Sequence, residues 1–154
     1  MKQVEVYTDG ACRGNPGRGG FGVVLKYREF RREMSSGFRR TTNNRMEVLA
    51  VIAALEALKE PCILTIYSDS RYLIDTMEKG WLDRWRKNGW KNKSGDAVKN
   101  IDLWRRLFVA KIRHRCKFIW VKGHAENPEN NRCDELATAA ADGENLLDHE
   151  RFPA

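Results

Sequence analysis

Four acidic residues stand where an acid needs a reason. Asp9 ends a run of strand formers, Val4-Glu5-Val6-Tyr7-Thr8, although Asp is depleted in strands. Asp69 follows a second strand-like run, Cys62 to Tyr67. Glu47 falls in the first turn of a helix that is apolar nearly all round, and Asp134 lies beside the apolar stripe of the last helix. If the two strands are parallel neighbours, Asp9 and Asp69 emerge at the same carboxyl edge, where the sites of open α/β sheets lie. A helix laid across that sheet would bring Glu47 to the same point. Carboxylates gathered in this way repel one another and resist ionisation unless hard divalent cations hold them. Mg²⁺ takes oxygen ligands and keeps several waters, which leaves positions for a substrate phosphate. Two such ions about 3.5–4 Å apart can clamp the attacking and leaving oxygens of a phosphodiester. Each acid also has a purely structural reading: a turn at Asp9-Gly10, a capping box pairing Asn44 with Glu47, a helix cap at Asp69 and a solvated helix position at Asp134.

Other chemistries fail on spacing. Gly14-x-x-x-x-Gly19 is followed by Gly20-Phe21 rather than Lys and a hydroxyl residue, so it is no phosphate loop of the P-loop kind. A strand, not a helix, follows these glycines, which excludes the dinucleotide fingerprint. They read instead as a hairpin turn whose backbone can lie close to a ligand. His114, His124 and His149 form no zinc motif and no nucleophile triad. Cys12, Cys62, Cys116 and Cys133 are scattered, without a Cys-x-x-Cys pair, and read as small apolar residues in a reducing compartment.

The elements that would position the four acids can be read from periodicity and turn chemistry. Three strands (Val4–Asp9, Phe21–Tyr27 and Arg31–Phe38) form an antiparallel meander. A buried helix from Asn44 to Lys59 follows, with Asn44 as its cap, then the strand Cys62–Tyr67 and a helix from Ser70 to Met77. Beyond a basic stretch come a helix at Ile101–Ile112, a strand at Lys117–Val121 and a last helix opened by Asn127-Pro128. After Gly143 the pattern reads as a loose tail, 143–154. The order predicts an α/β fold, a five-stranded mixed sheet flanked by helices, in one domain over 1–142.

The 154 residues carry a net charge of +7. Seven Lys and Arg against two Asp place +5 of it in residues 79–99, which also hold Trp81, Trp85 and Trp90. Cations release counterions from phosphates and indole rings pack on bases or sugars, so this window suits nucleic acid. A solvated helix with Trp81 and Trp85 packed on the domain is the plainer alternative. The longest apolar run, Val48 to Leu55, is far short of the about 20 residues a membrane span needs, and no signal-peptide core opens the chain. A cytoplasmic protein is expected.

Several short motifs together resemble type 1 ribonuclease H. They are Tyr7-Thr8-Asp9-Gly10-Ala11-Cys12, Gly14-Asn15-Pro16-Gly17, Thr41-Thr42-Asn43-Asn44-Arg45-Met46-Glu47, Ser68-Asp69-Ser70, Trp120-Val121-Lys122-Gly123-His124 and Asn131-Arg132-Cys133-Asp134-Glu135-Leu136-Ala137. They run in order over nearly the whole chain, and the basic window resembles the protrusion of the single-domain bacterial form. The resemblance implies cleavage of the RNA strand of RNA/DNA hybrids, giving 5′-phosphate and 3′-hydroxyl ends, with little sequence preference. Asp9, Glu47, Asp69 and Asp134 would hold two Mg²⁺ ions, with Mn²⁺ as a substitute, and His124 would assist proton transfer or product release.

For substrate, the resemblance implies that Cys12, Gly14 and Asn15 in the first turn, with Asn43 and Asn44, read 2′-hydroxyls, the local mark of RNA. Thr42 and Arg28 would contact phosphate. Trp81, Trp85 and Trp90 would line the DNA-strand groove while Arg84, Arg86 and Lys87 neutralise its phosphates. Arg71 departs from the family pattern, in which many members carry a neutral amide, and adds a cation near the scissile strand. The partner expected is the hybrid duplex, with no membrane, no obligate protein partner and a monomeric chain. A non-catalytic hybrid-binding module on the same fold is the alternative, and it would be expected to lose one or more of the four acids. A resolvase- or integrase-like DNA nuclease is a third reading, which the asparagine pair and the protrusion disfavour.

Overall fold

A computed structural model describes residues 1–123 and 127–149. The first three strands form the expected antiparallel meander, but each is longer than its alternation suggests: β1 (Lys2–Gly14), β2 (Gly17–Tyr27) and β3 (Phe30–Thr41). After helix α1 (Asn43–Ala57), strand β4 (Cys62–Ser68) lies parallel to β1, and β5 (Arg115–Trp120) lies parallel to β4. Between β4 and β5 run α2 (Arg71–Glu78), α3 (Trp81–Lys87) and α4 (Ile101–Lys111), and α5 (Pro128–Asp142) follows β5.

Residues after Gly143, expected as a loose tail, are ordered as far as they are described. Leu146–Leu147 form a sixth strand, β6, parallel to β3 at Gly37 and Phe38. The order is therefore β5-β4-β1-β2-β3-β6, six strands rather than five. His149 then stacks on Phe38 with ring centroids 4.7 Å apart. Residues 150–154 lie outside the described part.

Two helices cover opposite faces of the sheet. A Cβ at Gly19 would lie 3.3 Å from the Met46 side chain of α1, whereas one at Gly20 or Gly22 would fall 2.5 and 2.3 Å from backbone oxygens of α5. The glycine run of β2 thus has a packing cause, because α5 sits too close to the strand for side chains. On the other face, every residue from Met46 to Leu55 is buried, since α1 is enclosed between the sheet and α4. Ion pairs bind the start of α5 to β3: Arg31 and Arg132 bracket Glu33, and Arg31 also holds Glu129. These two cations hold the Glu33 carboxyl down at about 2.

Two helix starts differ in detail from the sequence expectation. Thr42, not Asn44, caps α1; its backbone is extended and its hydroxyl accepts the Arg45 N–H at 3.2 Å. Asn44 is already inside the first turn, so no capping box with Glu47 forms. Ser70 caps α2 through the Leu73 N–H at 3.1 Å, which leaves Asp69 free of that task. Asn127 and Pro128 open α5 as their types require.

Candidate active site

Asp9, Glu47 and Asp69 converge at the carboxyl edge of the sheet. One carboxylate oxygen of each lies within 4.8 Å of the others. The parallel register that pairs Tyr7 with Tyr67 puts Asp9 and Asp69 at matching depth beyond it. Glu47, the fifth residue of α1, arrives because the helix start is pressed against β1 at Gly10. A Cβ on Gly10 would meet both the Glu47 backbone nitrogen and its Oε1 at 2.8 Å. Only glycine permits that approach.

The electrostatics of the cluster would be relieved by a bound cation. Burial first, then the Asp69 charge, push Asp9 up to about 7, against the opposing N–H of Gly10, which donates to Asp9 Oδ1 at 2.9 Å. Burial and the Asp9 charge raise Glu47 well above the ordinary carboxyl range. Glu47 is 2% exposed, and neither of its side-chain oxygens has a hydrogen-bond partner. A buried carboxylate with two orphaned oxygens is costly unless something positive meets it. An all-oxygen set of this kind fits a hard divalent ion.

Asp134 stands in the second turn of α5, half-buried, outside the triad. Its charge adds to the upward push on Asp9. On the same helix Asn130 donates to the Thr8 carbonyl at 3.4 Å, tying α5 to β1 one residue before Asp9. Sequence reasoning missed Asn130, which gives no signal beyond being a polar residue near a helix start. His124 lies outside the described residues.

The turn after β1 and the start of α1 come together beside the cluster. Asn15 Oδ1 accepts the Asn43 N–H at 3.0 Å, while Asn43 and Asn44 are exposed. Gly14 takes φ +81°, which favours glycine, and the Asn15–Pro16 peptide is cis. The Cys12 thiol is turned inward to the Thr41 carbonyl at 3.4 Å. Thr42 spends its hydroxyl on the α1 cap. Arg28, expected as a phosphate contact, sits in the β2–β3 turn over the Tyr27 ring. It is six positions from Gly22, the partner of Asp9, or about 20 Å along the strand, which removes it from the site.

The basic window folds as α3 and a loop closed by a bridge between Lys91 and Ala97. Trp81, Arg84, Trp85, Lys87 and Lys91 line a groove of 680 Å³. The tryptophans divide between packing and the groove. Trp85 packs edge-on against buried Trp104, with centroids 5.9 Å apart, and anchors the protrusion while one side lines the groove. Trp90 takes φ +62° and has Arg105 over its ring. Arg86 turns away to lie over Phe108, 4.6 Å from the ring centroid. Arg71 lies over Trp120, a contact that no sequence pattern announces.

The RNase H family profile matches residues 1–142. The chain is 55% identical over 153 residues to the ribonuclease H of Syntrophus aciditrophicus, covering 99% of this chain and 88% of that protein. It is 55% identical over 146 residues to the ribonuclease H of Desulforamulus reducens, with 95% and 92% covered. Among solved structures, LC9-RNase H1, a type 1 RNase H with the type 2 active-site motif, superposes with a TM-score of 0.84 at 34% identity, over 100% of this chain and 82% of that one. LC11-RNase H1, solved in complex with an RNA/DNA hybrid, gives 0.69 at 26% identity over 90% of this chain and 96% of that one.

Proposed function

Because the chain belongs to the RNase H family, we propose that it is an endonuclease that hydrolyses the RNA strand of RNA/DNA hybrids, leaving 5′-phosphate and 3′-hydroxyl ends. The observation that carries this reading is the buried carboxylate cluster, with the two orphaned oxygens of Glu47, next to the exposed Asn43-Asn44 pair. Asp9, Glu47 and Asp69, with Asp134 from α5, are the residues to hold two divalent ions, Mg²⁺ or in its place Mn²⁺. When bound, such ions supply an activated water and neutralise the leaving oxygen.

The chain's own residues choose and orient the substrate. The backbone of the Cys12–Asn15 turn and the amides at the start of α1 read 2′-hydroxyls, and the Asn15–Asn43 hydrogen bond holds the two readers in one frame. Trp81, Arg84, Trp85 and Lys87 offer the DNA strand rings and cations along one groove, with Trp90 beside it. Phosphates and sugars carry no direct base information, so cleavage is largely sequence-independent. His124 assists proton transfer or product release. The enzyme acts as a monomer in the cytoplasm, and no described helix is long and apolar enough to cross a membrane.

The test is a cleavage assay on a hybrid, a DNA duplex and an RNA duplex of one sequence, with and without Mg²⁺. Cutting of the hybrid's RNA strand alone, dependent on Mg²⁺, is expected. Asp9→Asn and Asp69→Asn should bind the hybrid and not cut it. Full activity in both variants would overturn the assignment of the cluster, and binding without cleavage by the unaltered chain would favour the non-catalytic module.

A further inference from the structure

Arg71 combines three features that a structural role does not explain. It opens α2, where the positive end of the helix dipole disfavours a cation, and no acid in the first turn offsets it. It is exposed, and among the described residues it forms no ion pair, although Asp69 is two residues away. Its guanidinium carbon sits 3.8 Å from the centroid of the Trp120 ring. Trp120 is itself fixed: it pairs with Ser68 across the β4–β5 register, and its indole N–H donates to the Asp69 carbonyl at 3.1 Å. The ring that carries Arg71 is thus pinned to the residue that supplies one carboxylate of the cluster.

A guanidinium resting on an aromatic face is held by that face and keeps its N–H donors for another acceptor. The acceptor it fits is an anion with two adjacent oxygens, which a planar donor fork meets at two points. Asp69 has that shape and stands nearby, yet it is not engaged. Resting on the reading of the site as one that binds a nucleic-acid backbone, we propose that Arg71 and Trp120 form a phosphate platform. There Arg71 contacts a backbone phosphate of the strand being cut, and Trp120 is the positioning residue that aims it.

The platform makes different demands on its two members. Arg71→Lys keeps the charge and gives up the fork and the stacking. Trp120→Phe keeps a smaller ring under the guanidinium and gives up the anchor to Asp69. The experiment is steady-state cleavage of a uniform hybrid over a KCl series, with thermal melts to confirm folding. Arg71→Gln should raise KM about tenfold, leave kcat within about threefold and reduce the salt slope of log(kcat/KM) by about 0.7–0.9, the value of one lost phosphate contact. Arg71→Lys should keep the slope and raise KM by a smaller factor. Trp120→Phe should raise KM about threefold with the slope retained, and adding it to Arg71→Gln should cost nothing more.

An unchanged KM and slope in Arg71→Gln would overturn the proposal. A raised KM with an unchanged slope would also overturn it, by assigning Arg71 to an uncharged part of the nucleotide. Failure of the unaltered chain to cut the hybrid would instead strike at the nuclease reading, so the two failures are separable.

Discussion

Replacing Asp9 by Asn should make the metal-free protein more stable while it destroys activity. Asp9 sits among Glu47 and Asp69 with its carboxyl at about 7 instead of the ordinary 3.8. A raised acid in the folded state contributes stability that is fully present below the ordinary value and is lost as pH climbs through about 7. Between those limits the folded chain binds more protons than the unfolded one, so stability falls as pH rises. Three pKa units at about 1.36 kcal/mol each set a ceiling of about 4 kcal/mol for the charged form. Asn keeps an oxygen for the Gly10 N–H and adds an amide that can donate to an orphaned Glu47 oxygen. It still buries a polar group, so the net gain should be about 1–3 kcal/mol, or a Tm rise of about 3–10 °C for a domain of this size. The assay is thermal unfolding of both proteins in EDTA from pH 4 to pH 8. The gap should be small at pH 4 and widen toward pH 8. Saturating Mg²⁺ should then raise the Tm of the unaltered protein and narrow the gap. A variant whose Tm in EDTA equals or falls below that of the parent at pH 8, or a gap that does not change with pH, would refute the reasoning.

Other perturbations have equally definite outcomes. Arg84→Ala with Lys87→Ala should raise KM and flatten the salt slope by about 1.4–1.8, with kcat little changed, whereas Arg86→Ala, whose side chain lies on Phe108, should leave the slope alone; salt-dependent kinetics check both. Gly10→Ala places a methyl 2.8 Å from the Glu47 backbone and should cost about 1–3 kcal/mol and most of the activity, read by melts and cleavage. His114 accepts the Cys62 N–H through Nδ1 and is held below its ordinary value by burial, so stability should fall as pH drops below 6.5; His114→Gln should flatten that acid limb in melts from pH 7 to pH 5.

The acids that lay out of place in the sequence were legible because local preference and position disagreed. A strand ending in Asp9 invites a cause outside the strand, and the parallel β1–β4 register supplies it. Glu47 was harder to read, since Asn44 offered a local partner; the choice of Thr42 as cap depends on where β3 releases the chain. Side chains joined over long separations left no trace. Trp120 meets Arg71 across 49 residues, and Asn15 meets Asn43 across the β2–β3 hairpin. β6 was also invisible, because two leucines are too few to show a period and their partner, β3, lies about 110 residues earlier.

That short strand bears on where the chain can be cut. The family profile ends at Asp142, whereas packing continues to His149. Leu146 and Leu147 occupy the open hydrogen-bonding edge of β3 at Gly37 and Phe38, and His149 bonds Thr41 and lies on the Phe38 ring. A chain ended at Asp142 would bare that edge next to an apolar ring, a template for pairing with another copy. The first consequence of trimming would be self-association at high concentration. The seven residues past the end of the family profile serve as the guard that keeps the sheet from growing.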